Sequence, residues 1–186
     1  MHQSVVVSGF GGQGALFAGQ VLTYAAMDTD HQVSWIPSYG PEMRGGVARC
    51  TVIISDSEIG SPIVRNPDVA IVLNNPSMEK FHNELKPGGI LIVNSTMVSF
   101  EATRDDLVVI EIPGTDIATD MGDKRMTNMV LLGAMLAVNP VVSIEAVEQA
   151  LKDHLPQRKQ HLVESNINVL KQGYEKGIQA KAHSSN

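Results

Sequence analysis

Gly9-Phe10-Gly11-Gly12-Gln13-Gly14 joins a β-branched run, Ser4 to Ser8, to a helical pattern from Ala15 to Met27. No other segment restricts the fold as much. Four glycines in six residues allow a sharp turn and close backbone approach, and the order strand, glycine turn, helix opens an α/β sheet. Leu16, Gly19, Leu22 and Ala26 fall near one face of that helix. The turn itself has two readings. Unpaired N–H groups at the helix start suit an anion, which the helix dipole stabilises by roughly 0.3–2 kcal/mol. Alternatively, the glycines serve only a tight turn and close helix–sheet packing. The candidate cofactor-binding residues are Gly9, Gly11, Gly12, Gln13 and Gly14.

Further strands are expected at Gln32–Ile36, Val47–Ile54, Val69–Leu73, Ile90–Val93 and Leu107–Ile112. Pro76 opens a helix towards Leu85, which Lys86-Pro87-Gly88-Gly89 closes. The last third reads as helical. Lys124–Val138 is apolar on nearly every side, interrupted by Thr127 and Asn128, so it must be covered all round. Ser143 is the expected N-cap of a helix to Asp153, and Arg158–Lys176 is a more polar amphipathic helix. The fold class is α/β: a single-domain, Rossmann-like three-layer sandwich with a mostly parallel or mixed sheet of about six strands. The domain is expected to span residues 1–176, with 177–186 as a flexible C-terminal tail.

Charge and cysteine content narrow the chemistry. Twenty acidic against fourteen basic side chains give a net charge of −6, which repels phosphate backbones and argues against nucleic-acid binding. The single cysteine, Cys50, cannot close an internal disulfide or furnish four thiolates for an iron–sulfur cluster, and points to a reducing cytoplasm. Six histidines are scattered without metal-ligand spacing, and no serine elbow occurs, so no catalytic or metal residue is expected. The start of the chain lacks the features of a secretory signal, and its most continuous apolar stretch, Val130–Val138, is far shorter than a bilayer span. A soluble protein is expected. Charged residues are 18% of the chain against about 25% ordinarily, which favours a subunit over a free monomer because buried interfaces are charge-poor.

A dinucleotide site makes a demand this sequence does not meet. It needs Asp or Glu at the end of the second strand to hold a ribose, and here that strand ends Val33-Ser34-Trp35-Ile36-Pro37. No Gly-Lys-Ser or Gly-Lys-Thr follows the glycine turn, so the P-loop pattern also fails. After that strand comes a second glycine-bearing loop, Ser38-Tyr39-Gly40-Pro41-Glu42-Met43-Arg44-Gly45-Gly46. It leaves the carboxyl end of its strand, so it should share a rim with the glycine turn and touch it. Ser38, Tyr39, Glu42, Met43, Arg44, Gly45 and Gly46 are the candidate subunit-interface residues.

These two motifs, with Ala18-Gly19 on the first helix and Asn128-Met129 and Leu132-Gly133-Ala134 on a later one, closely resemble the gamma subunit of 2-oxoacid:ferredoxin (acceptor) oxidoreductases. The resemblance covers nearly the whole chain. It implies a multi-subunit enzyme that converts a 2-oxoacid to an acyl-CoA and reduces ferredoxin. Thiamine diphosphate, magnesium and iron–sulfur clusters would lie in alpha, beta and ferredoxin-like delta partner subunits, and this chain alone would be inactive. Coenzyme A (CoA) is the ligand the glycine turn could contact. Phe10, Tyr39 and Met43 stand where pyruvate-type gamma subunits tend to differ, so the chain looks more like the 2-oxoglutarate or branched-chain group, with 2-oxoglutarate first. The competing expectation is a stand-alone Rossmann-like nucleotide-binding protein or dehydrogenase.

Overall fold

The computed structural model describes residues 1–39, 46–99 and 101–184. Six strands, β1 (His2–Phe10), β2 (Gln32–Tyr39), β3 (Val47–Ser55), β4 (Val69–Val72), β5 (Ile90–Asn94) and β6 (Val108–Ile112), form one mixed sheet in the order β2-β3-β1-β4-β5-β6. β1, β4, β5 and β6 are parallel, whereas β3 is antiparallel to both its neighbours. This arrangement refines the expected connection from β1 to β2. Helix α1 (Ala15–Met27) does carry the chain back so that β2 runs with β1, but β3 is inserted between them.

Two helical layers of unequal thickness cover the sheet. On one face lie α1, α4 (Thr127–Val138), α5 (Ile144–His154) and α6 (Val163–Ser184), closing a core that includes Val5, Val7, Val52, Ile71, Ile92 and Leu132. On the other face, α2 (Asn75–Glu84) sets Met78 and Phe81 against Val6, Val72, Leu91 and Val93. β4 is buried along its whole length, as its uninterrupted apolar run requires. Helix boundaries follow local chemistry. Asn74 accepts a hydrogen bond from the Ser77 N–H at 3.0 Å to cap α2, and Ser143 caps α5 through the Ala146 N–H at 3.1 Å. No helix among the described residues is long and apolar enough to cross a membrane.

α4 is buried at every residue except Ala137. What covers it is α6, and the two helices meet backbone to backbone. A Cβ on Gly133 would collide with the Leu170 carbonyl, and one on Gly173 with the Val130 carbonyl. One on Gly177 would reach the Ala134 carbonyl at 2.7 Å. That contact explains a difference from the sequence expectation. The helix expected at Arg158–Lys176, with a tail after it, is a 3₁₀ turn at Gln157–Leu162 followed by an α6 that runs on to Ser184. Gly177 and Lys181, assigned to the tail, lie in the helical seam, where the Lys181 ammonium reaches the Val138 carbonyl at 3.3 Å.

Two other elements differ. β2 continues through Ser38 and Tyr39, so these residues are strand rather than loop; Pro37 is tolerated because β2 is an edge strand. The short helix α3 (Gly114–Asp120) has no sequence counterpart among the expectations. Seven residues with no apolar stripe carry little helical signal, and α3 depends on tertiary partners: Gly114 packs against Leu131, and the side-chain oxygen Oδ1 of buried Asn94 accepts from the Thr115 N–H at 3.2 Å.

Asp68 ties β1 to the segment after α2. Its carboxylate accepts from the Ser4 N–H at 2.8 Å, the Ser4 hydroxyl at 2.6 Å and the Lys86 ammonium at 2.6 Å. Burial alone would raise the Asp68 pKa, but the hydrogen bonds from Lys86 and Ser4 outweigh it and hold the carboxyl below its ordinary value. A lowered carboxyl contributes stability that is complete above the unfolded-state pKa of about 3.9 and is lost as pH falls through the folded-state value. The gap in melting midpoint between the wild type and Asp68→Asn should therefore be full near neutrality and close as pH drops below about 4. For the helical seam, Gly173→Ala should cost about 1–3 kcal/mol in urea denaturation, because backbone must move apart. Gly60→Ala, where a Cβ meets nothing within 4 Å, should stay within about 0.5 kcal/mol of wild type.

Candidate functional site

The glycine turn divides into a locked half and an open half. Gln13 folds inward: its side-chain oxygen accepts from the Phe10 N–H at 2.6 Å and from Asn74 Nδ2 at 3.2 Å, while its amide nitrogen faces the Leu73 carbonyl at 3.4 Å. Gly9 must be glycine there, since a Cβ would meet the Gln13 oxygen at 2.7 Å and Leu73 at 2.9 Å. Gly14 is the N-cap of α1 in the left-handed region at φ 75°, and a Cβ on it would meet Asn128 Nδ2 at 2.6 Å. Asn128, in the first turn of α4, donates to the Gly14 carbonyl at 2.9 Å. The close-packing role of the turn is therefore filled by Gly9, Gln13 and Gly14.

Gly12 is the open part. It has φ 99° and nothing within 4 Å of its would-be Cβ. No side chain caps α1, so the N–H groups of its first turn have no capping partner among the described residues. Beside them lies a cavity of about 320 Å³, lined by Phe10, Gly11, Gly12, Leu16 and Phe17 on one wall and by Tyr39, Gly46 and Ala48 on the other. Phe17 and Tyr39 give this cavity flat aromatic walls, and Tyr39 is 63% exposed.

The shared rim expected for the two loops is present. Tyr39 of β2 pairs with Ala48, Phe10 of β1 pairs with Val47, and the Gly11 N–H donates to the Gly46 carbonyl at 3.0 Å. Ser38 departs from its loop-mates: it pairs with Arg49 in the β2–β3 ladder, and strand alternation sends its side chain to the face opposite Tyr39. Glu42, Met43, Arg44 and Gly45 lie outside the described residues.

Sequence reasoning missed part of this site. Thr115, Lys124, Arg125 and Thr127 join Gly12 and Gln13 around a second cavity of about 280 Å³ on the other side of the turn. Asp123 accepts from Arg125, and those hydrogen bonds lower its pKa to about 2. Lys124 has no ion-pair partner among the described residues and adds positive potential beside Gly12. The available signal was Thr127-Asn128, the polar break in an otherwise apolar helix. Thr127 caps backward onto the Lys124 carbonyl at 2.7 Å, and Asn128 pins the turn.

Cys50 is not part of the site chemistry. It sits beneath the start of α1, 3.4 Å from the Ala15 carbonyl, and burial pushes its thiol up to about 11. A Cβ on Gly19 would strike its sulfur, so the small residues Ala18-Gly19 set how closely α1 lies on β3.

The family model for pyruvate ferredoxin/flavodoxin oxidoreductase matches residues 4–176. The chain belongs to this family. The 2-oxoglutarate synthase subunit KorC of Methanocaldococcus jannaschii is 35% identical over 178 residues, 94% of this chain and 94% of that protein. The ketoisovalerate oxidoreductase subunit VorA of Methanothermobacter thermautotrophicus is 37% identical over 172 residues, 92% of this chain but 35% of that relative. The chain thus spans about a third of the length of VorA. Among solved structures, the gamma subunit of the keto/oxoacid ferredoxin oxidoreductase from Geobacter sulfurreducens superposes with a TM-score of 0.82 at 33% identity, covering 96% of this chain and 99% of that one. The oxoacids named for these family members differ.

Within this family member, the lock on the glycine turn has a measurable weight. Gln13→Leu removes the acceptor for the part-buried Phe10 N–H and should cost about 1–3 kcal/mol in chemical denaturation. Faster hydrogen exchange at the Phe10 amide should accompany that loss.

Proposed function

We propose that this chain is the gamma-type subunit of a cytoplasmic enzyme that oxidatively decarboxylates a 2-oxoacid, 2-oxoglutarate, to its acyl-CoA while ferredoxin is reduced. The observation that carries the reading is the meeting of two glycine-bearing segments on one rim, joined from Gly11 to Gly46 and bordering the cavity at the start of α1. End-to-end correspondence with KorC supports 2-oxoglutarate, and the comparable identity to VorA makes a branched oxoacid the alternative substrate.

The chemistry of bond cleavage lies elsewhere in this reading. Among the described residues no three His, Cys, Asp or Glu side chains gather as metal ligands, and Cys50 is sealed in the core. Those residues do not fit magnesium-bound thiamine diphosphate or an iron–sulfur cluster, which are assigned to the alpha, beta and delta partners. What this chain supplies is a surface and a polar pocket. A phosphate of CoA at Gly12 would meet uncapped N–H groups of α1 and the positive potential of Lys124, and the aromatic walls at Phe17 and Tyr39 suit a flat base.

A stand-alone nucleotide-binding module finds less support. β3 separates β2 from β1, and the carboxyl end of β2 offers Ser38 and Tyr39 rather than an acid for a ribose. Adding NAD, NADP or FAD to the isolated chain should leave its melting midpoint unchanged, since a ligand of the folded state would raise it.

A tagged full-length chain co-expressed with its untagged sister subunits should recover them; a chain that recruits none would overturn the subunit assignment. In the assembled complex, Gly12→Val should weaken CoA binding at least tenfold by calorimetry, because the left-handed backbone at Gly12 disfavours a branched residue. A melting curve close to wild type would show that the complex stays folded. Unchanged CoA affinity would leave the turn a packing role alone.

A further inference from the structure

Away from α1, the two halves of the sheet are finished differently. α2 covers β1, β4 and β5 on this side through Met78 and Phe81, with Leu85 just after its end. Beyond β1, towards the free edge, no described helix forms a layer over β3 and β2. The register puts rows Ser8–Arg49–Ser38, Val6–Thr51–Ile36 and Ser4–Ile53–Ser34 on this side of β1, β3 and β2. Ser4, Val6, Ser8 and Ile53 are buried, so the part that reaches solvent is Arg49 and Thr51 of β3 with Ser34, Ile36 and Ser38 of β2. Ile36 is 39% exposed, and Ile63, on the segment that borders the face, is 78% exposed.

The edge is equally unguarded. β2 reads Gln-Val-Ser-Trp-Ile-Pro-Ser-Tyr, eight residues without a charge, where edge strands of free proteins ordinarily carry charges that repel other strands. Only Pro37 blunts it.

The charge on this face is opposite to that of the whole chain. Arg49, Arg65 and Lys80 line a groove of about 330 Å³ between α2 and β3, with Glu84 as its one acid. Glu84 pairs with Lys80 at 3.7 Å, and neither Arg49 nor Arg65 has an ion-pair partner among the described residues. Arg65 also borders a neighbouring groove of about 270 Å³ with Lys86, which is engaged by Asp68. On a chain of net charge −6, two guanidinium groups without an ion-pair partner among the described residues thus line one groove, beside exposed isoleucines. Guanidinium forks match carboxylates in shape as well as charge.

We infer that the open β2–β3 face is a docking surface for a sister subunit, whose carboxylates pair with Arg49 and Arg65 and whose apolar residues cover Ile36 and Ile63. The inference rests on the subunit reading above and deepens it, adding a contact on the side of the sheet opposite the glycine-turn cavity. A second copy of this chain is the poorer occupant: a two-fold contact would set the same arginines of both copies near one another, and like charges across an interface repel.

The test uses the full-length chain co-expressed with its sister subunits. Arg49→Glu with Arg65→Glu should weaken recruitment of the sister subunits at least tenfold, and raising the salt should weaken wild-type recruitment more than that of the variant. The isolated variant chain should melt like wild type, since neither arginine has an ion-pair partner among the described residues. Lys152→Glu with Lys176→Glu, the same charge change on α5 and α6, should leave recruitment at the wild-type level. Assembly of the arginine variant at wild-type affinity, or equal weakening by the lysine variant, would overturn the inference while leaving the subunit reading intact. Failure of the wild type to recruit any sister subunit would overturn both. A wild-type isolated chain that is dimeric by light scattering, with the arginine variant monomeric, would assign the face to a second copy and overturn the choice of occupant.

Discussion

Direct backbone contact between α4 and α6 is the constraint on which the rest of this structure hangs. α4 has no polar face, so it is stable only when enclosed, and ordinary side chains would hold a covering helix too far away. Gly133 on one helix and Gly173 and Gly177 on the other remove that spacing. The close approach fixes the depth at which α4 lies between sheet and α6. That depth in turn delivers Asn128 to the Gly14 carbonyl, more than a hundred residues away in sequence. A packing contact at the back of the domain is thereby transmitted to the loop at its front.

That loop satisfies two demands that compete elsewhere. Anchoring a tight βα turn uses polar groups, whereas receiving an anion requires leaving some unused. Here the labour is split by residue: Gln13 and Asn128 hold the turn from inside, while Gly12 and the first turn of α1 face outward with no side-chain cap among the described residues. Placing Lys124 and Arg125 just ahead of α4 puts cations beside the same opening. The arrangement suits binding and orientation. The lone thiol is buried and held protonated at neutral pH.

Much of the architecture was legible because its signals are local. α1 was expected at Ala15–Met27 and is found there, since Gly14 marks its start and an apolar stripe its inner face. β3 to β6 sit within a residue or two of their expected positions, as short β-branched runs between turns. The candidate site was legible in outline, because two glycine-bearing segments at the ends of strands running the same way had to share a rim. Three features escaped. α3 is too short to declare itself without Asn94 and Leu131; the end of α6 looked polar and frayed because its packing surface is glycine rather than a large apolar residue; and Ser38 and Tyr39 belong to β2, whose extension depends on the β3 ladder.

Residue order alone carries the α/β class, the glycine turn, the absence of a dinucleotide acid at the end of the second strand and the likeness to gamma subunits. Each of these depends on residue type and spacing along the chain. Contacts across the fold settle the rest: β3 inserts antiparallel between β1 and β2, Gln13 turns inward while Gly12 stays open, and one face of β2 and β3 has no helix over it among the described residues, with Arg49 on it and Arg65 on the segment beside it. Strand order, side-chain satisfaction and surface coverage arise from contacts between segments far apart in the chain, and no local pattern specifies which segment will arrive.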